Sequence, residues 1–152
     1  MPKLICSATL VLFASALFAE SPLVGTWKLD TAKSKYTTGD PAKDVMLVIE
    51  EQGDDLQVTA TGTNSDGSPL SVKYTVPEKG GAGKVQESAT YDGINSKRIS
   101  ANIRDNTYTK DGKQVNTRHV VVSKDGKTMR STVKGVNAQG KSVAGTDVFE
   151  KQ

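Results

Sequence analysis

Asp-Gly and Asn-rich pairs cut this chain at short, regular intervals, and that spacing limits it to short strands. They fall at Gly53-Asp54-Asp55, Asn64 to Gly67, Asp92-Gly93, Asp105-Asn106, Asp111-Gly112, Asp125-Gly126 and Asn137 to Gly140, with a looser glycine-rich link from Glu78 to Gly83. Such pairs supply the positive φ angles that tight hairpins need. Between them, apolar and polar residues alternate. Leu56, Val58 and Ala60 alternate with Gln57, Thr59 and Thr61; Leu70, Val72, Tyr74 and Val76 alternate with Ser71, Lys73 and Thr75. Period two puts the two sets on opposite faces of a strand. Ile99, Ala101 and Ile103 carry the same pattern. Val45 to Ile49 and Val120 to Val122 are continuous apolar runs, as expected of strands covered on both sides.

These signals predict about ten strands. They lie near 23–29, 44–51, 55–63, 69–77, 84–90, 96–103, 106–110, 113–123, 127–136 and 141–150. Every link from Glu50 onward is short, so sequence neighbours are expected to pair antiparallel. The fold class is therefore all-β, an up-and-down meander that closes into a barrel because closure removes its unpaired edges. Thr31 to Lys43 is the exception. It is polar, contains Gly39 and Pro41, and reads as a long connection or a lid over the barrel mouth.

The 152 residues suit one domain. Met1-Pro2-Lys3 supplies a positive charge, Leu4 to Phe18 an apolar run, and Ala19 a small residue before Glu20. That order predicts a signal peptide over 1–19 and a barrel domain over 20–152. The apolar run is shorter than the roughly 20 residues of a membrane span. A secreted or periplasmic product is expected, with no stable membrane insertion after cleavage. The one cysteine, Cys6, lies inside the leader, so no disulfide is expected in the rest.

The net charge of +3 is small and spread among acids, which argues against nucleic acid as a partner. With 5% aromatic residues, stacking platforms for single strands are scarce. One histidine, His119, falls short of the several ligands zinc takes, so no metal site is expected. A lone histidine says little about haem; His119 reads as an ordinary strand residue, and no cofactor is expected. The chain has no Gly-x-Ser-x-Gly elbow, and Glu50-Glu51 and Asp54-Asp55 read as solvated turn acids rather than a glycosidase pair. No catalytic residue is assigned.

Gly25-Thr26-Trp27-Lys28-Leu29 resembles the Gly-x-Trp opening of the lipocalin and fatty-acid-binding superfamily. Gly145 to Lys151 is similar to the last strand of fatty-acid-binding proteins. More closely, the chain resembles secreted bacterial proteins described as lipocalin-like. The resemblance is carried by that opening, Ser123 to Lys127, the Asn137-Ala138-Gln139-Gly140 turn and the Glu150-Lys151-Gln152 tail. It implies a barrel with an interior ligand, lacking the two-helix lid, whose place is taken by 31–43. It also implies that Trp27 plugs one end, that Gly25 lets the backbone pass closely there, and that a late-strand cation stacks on the indole. Fatty acid is not implied. Asp147 and Phe149 stand where the fatty-acid-binding family has an arginine and a tyrosine.

Val143, Gly145, Asp147 and Phe149 share one face of the last strand. If that face is interior, Asp147 needs a partner, and Arg118 and Arg130 are candidates. Such a pair either orients a polar ligand or is a structural ion pair. The expected cavity wall is Val72, Tyr74, Met129 and Phe149, with Arg118 and Asp147 as polar anchors. The expected function is a monomeric, exported binding protein for a small hydrophobic or amphipathic molecule. The alternatives are a ligand-free interaction or structural protein of the envelope and, third, an enzyme.

Overall fold

The computed structural model describes residues 19–152. The expected leader lies outside the described residues except for Ala19, and Cys6 lies outside with it. The described residues contain strands and no helix. The strands are β1 (Gly25–Leu29), β2 (Lys35–Thr38), β3 (Asp44–Gln52), β4 (Asp55–Thr63), β5 (Pro69–Pro77) and β6 (Gly81–Ala82). They continue with β7 (Lys84–Glu87), β8 (Gly93–Arg98), β9 (Ile103–Lys110), β10 (Lys113–Val122), β11 (Thr128–Val136) and β12 (Ser142–Lys151). One antiparallel sheet runs β6-β8-β9-β10-β11-β12-β1-β3-β4-β5-β7, with β2 added on β12. The expected meander is therefore present, nearly closed into a barrel.

Two staves of that barrel are broken in the middle. β1 pairs with the end of β12 (Leu29 opposite Phe149) and β2 with its middle (Tyr36 opposite Gly145). Residues 30–34 bulge out between them. Asp30 N–H donates to the Val148 carbonyl at 2.8 Å, and Val148 N–H donates to Ser34 Oγ at 3.0 Å. Part of the segment expected to be a plain loop is thus strand. It lacks alternation, but β12 before Val148 has backbone groups to satisfy, and β2 satisfies them.

The second break brings the two ends of the sheet together. β6 pairs with β8 while β7 pairs with β5, so the two ends of the sheet meet through Gly83 between them. Gly83 N–H donates to the Ile94 carbonyl at 2.9 Å. A Cβ there would collide with the Thr75 carbonyl and stand 2.6 Å from Val76 Cγ1 and 2.9 Å from Ile94 Cγ2. Only glycine fits this squeeze between β5 and β8. Counting each broken pair once leaves ten staves.

One stretch is segmented differently from expectation. Ile99 to Asn102 is a turn, not the middle of a strand, and Ile99 is 49% exposed. Asp105-Asn106 is not a turn; both sit within β9, opposite Lys97 and Ser96. The inward set of β9 is Arg104, Asn106 and Tyr108, all buried. A strand whose interior face is polar gives no apolar alternation, so the chance pattern at 99–103 was stronger.

The core sits toward one end. Trp27 is fully buried, and its Nε1–H donates to the Leu23 carbonyl at 2.9 Å, tucking the 20–24 turn beneath the barrel. Leu56, Val76, Val122, Met129 and Phe149 pack in the same core cluster. Lys151 Nζ lies 5.1 Å from the Trp27 ring centre. Its stem passes over Gly25, where a Cβ would meet Lys151 Cε at 2.5 Å. The expected cation on the indole is therefore Lys151. Gly25 makes room for a side chain rather than for backbone.

Candidate functional site

Above this floor the barrel is hollow. A cavity of about 510 Å³ extends to the loops of the other end, where Asp40, Asn64, Glu87 and Asn137 line it. Val72, Tyr74, Arg118, Met129, Asp147 and Phe149, the six residues expected around a ligand, all line the cavity. Gly25 and Trp27 lie at the closed end. Arg130 is exposed on the outer face of β11, since its neighbours Met129 and Ser131 take the inner one.

The most concentrated chemistry joins β10, β11, β12 and β2. Ser131 stands opposite Asp147, and Arg118 reaches diagonally across them. Arg118 Nη1 donates to Asp147 Oδ2 at 2.9 Å and to Ser131 Oγ at 3.0 Å. Tyr36 Oη–H donates to Asp147 Oδ1 at 2.9 Å. The Asp147 side chain is 8% exposed and that of Arg118 33%, the latter toward the cavity it lines. Burial by itself would loosen the guanidinium's proton; the Asp147 charge, together with Tyr108, Tyr36 and the hydrogen bond to Asp147, outweighs this and holds Arg118 charged. Burial, and then Asp147, push the Tyr36 hydroxyl well above the usual tyrosine range, so it remains a donor. Gly145 makes this contact possible, because a Cβ there would overlap the Tyr36 ring.

A second cluster faces the pair from β5, β9 and the loop before β8. The Tyr74 and Tyr108 hydroxyls are 3.2 Å apart, with their rings edge to face at 6.0 Å. The Tyr91 ring lies 4.5 Å from that of Tyr108. Burial raises the ionisation of both Tyr74 and Tyr91. Asn106 and Asn116 are buried in the lining, and the Oδ1 of each has no partner among the described residues. Nearer the floor, Arg104 is 3% exposed. It donates to Ser96 Oγ at 3.1 Å, to the Pro77 carbonyl at 3.3 Å and to the Glu78 carbonyl, pinning the turn before β6. Burial lowers its proton affinity.

Tyr36, Arg104, Asn106, Tyr108 and Ser131 were not anticipated. Arg104, Asn106 and Tyr108 do keep period two against Asp105, Thr107 and Thr109, but the set that alternates inward is polar. Gly145 inside a strand was the available signal for Tyr36, since strand glycines mark close approaches.

His119 is on the outer face, exposed, with Nδ1 2.5 Å from Asp105 Oδ1 on β9. It does not reach the cavity. Among the described residues no three His, Cys, Asp or Glu side chains are grouped to hold a metal ion. The lining can therefore surround an apolar body and offer hydrogen bonds at mid-height from a fixed ion pair, neutral tyrosines and two asparagines. No protein-family model matches the chain, and no curated protein matches it.

Proposed function

We propose that this chain is an exported, lipocalin-like binding protein that holds a small, partly apolar molecule inside its barrel. The observation that carries this reading is the cavity of about 510 Å³, walled by Val72, Met129 and Phe149, with the Arg118–Asp147 pair along one wall. Ligand sites typically span about 300–1,000 Å³ and combine apolar walls with a few placed polar groups. A barrel evolved only as a solid scaffold would fill this space with side chains.

The outer faces support a water-facing barrel. Gln57, Thr59, Lys73, Thr107, His119 and Arg130 alternate with the lining residues, and no apolar band faces outward there. A membrane-spanning barrel needs the reverse arrangement. The leader pattern of residues 1–19 supports export, and the binding role assigns no chemical step to the cavity.

Native mass spectrometry of the protein purified from its export compartment, compared with its denatured mass, tests the proposal. A discrete extra mass lost on denaturation is expected. No extra mass, together with no thermal shift across a lipid and metabolite panel, refutes it and leaves the ligand-free interaction protein.

A further inference from the structure

We infer that the cavity's occupant carries an uncharged, amide-like polar end, with an acceptor held by Arg118 and a neighbouring N–H held by Asn106. The inference rests on the binding role proposed above and specifies the ligand's chemistry.

Arg118 is the group an acid would seek, but its charge is already matched. Asp147 lies 2.9 Å from it, within the same interior. An anion brought to the open side of Arg118 still feels the Asp147 carboxylate across the guanidinium, so much of the attraction is offset. A cation fares no better. Both Asp147 oxygens are taken, by Arg118 and Tyr36, and the guanidinium repels it. What the pair leaves open is hydrogen bonding. Arg118 makes both of its bonds through Nη1, and its Nε and Nη2 donate to no described residue. These donors suit a neutral carbonyl oxygen.

Asn106 supplies the complementary half. It is directly opposite Arg118 across β9 and β10, which puts their Cβ atoms about 5 Å apart on one face. It is 7% exposed, it lines the cavity, and its Oδ1 has no partner among the described residues. A buried acceptor left unmade is costly, so an occupant offering an N–H there is selected over one that does not. A carboxamide or lactam presents its carbonyl and N–H side by side, so one such group can meet two cross-strand neighbours at once. The Tyr91–Tyr108 rings and Val72 then cover the apolar body.

The test is calorimetric titration with three probes on one skeleton: 1-naphthaleneacetamide, 1-naphthaleneacetic acid and 2-(1-naphthyl)ethylamine. The amide is expected to bind at least about tenfold tighter than either charged analogue, a difference of one well-made buried hydrogen bond. Asn106→Leu should remove that advantage while leaving circular dichroism unchanged. Asp147→Asn frees the Arg118 charge, so the acid should gain at least about tenfold on the amide. An acid that binds wild type as tightly as the amide overturns the inference, and so does an acid-to-amide ratio unchanged in Asp147→Asn. A charged polar end on a co-purified ligand also overturns it, while the binding role stands. If none of the three probes binds, the inference fails. The thermal-shift panel then separates the two readings: a hit there preserves the binding role, and none removes it as well.

Discussion

Alkaline titration should unfold this barrel through its buried tyrosines. Tyr74 is 8% exposed and Tyr91 is packed against Tyr108; burial pushes the ionisation of both far above the ordinary value near 10. Below about pH 10 the folded and unfolded chains both keep these protons, and the contribution to stability is intact. Above it the unfolded chain releases them while the folded one does not, so stability falls as pH rises. Each such group costs about 1.4 kcal/mol per pH unit. While the folded chain keeps both protons, Tyr74 and Tyr91 together lose about 3 kcal/mol per pH unit, a large share of the whole stability of a small domain. Tyr36, less enclosed, shifts in the same direction and adds a smaller amount. The assay follows tyrosinate absorbance and far-ultraviolet circular dichroism together as pH is raised. Tyr36, Tyr74 and Tyr91 should ionise only as the sheet signal collapses. Tyr74→Phe should shallow the stability slope above pH ~10 by about 1.4 kcal/mol per unit. Smooth ionisation of these hydroxyls near pH ~10, with the sheet signal intact, would refute the reasoning.

Arg118→Met leaves Asp147 in the interior without its cation and should cost about 3 kcal/mol in chemical denaturation. Adding Asp147→Asn should recover most of that loss, giving a strong coupling in the double-mutant cycle. Trp27→Ala empties the floor and should cost about 4 kcal/mol, with a lowered urea midpoint. Gly83→Val forces β5 and β8 apart at the closure and should cost about 2 kcal/mol or more. Amide exchange should then quicken at Thr75, Val76 and Ile94, while the β10–β11 hairpin keeps its protection.

The strands easiest to read in the sequence were those with apolar interiors. β4 and β5 are 55–63 and 69–77 as expected, because their inward residues are apolar and their turns carry Gly and Asp. The sequence pattern starts β9 at 106 instead of 103, because Arg104 and Asn106 face inward and a polar inward face looks like a turn. The anchor pair was legible for a related reason. A charge on the inward face of the last strand demands a partner, and Arg118 was among the two in reach. Arg130, one residue out of phase, points away.

The sequence alone determined the all-β meander and the strands β4 and β5, because these follow from period two and local turn chemistry; the resemblance implies the floor tryptophan, and the pattern leaves the inward face of β12 open between two readings. Tertiary structure alone decided the rest. It recruited β2 to the open edge of β12, brought the ends of the sheet together at Gly83, and laid Tyr36 over Gly145 onto Asp147. It also set Asn106 beside Arg118. Those contacts join residues far apart in the chain, and their partners are fixed by the curvature and register of the closed sheet, which no local pattern encodes.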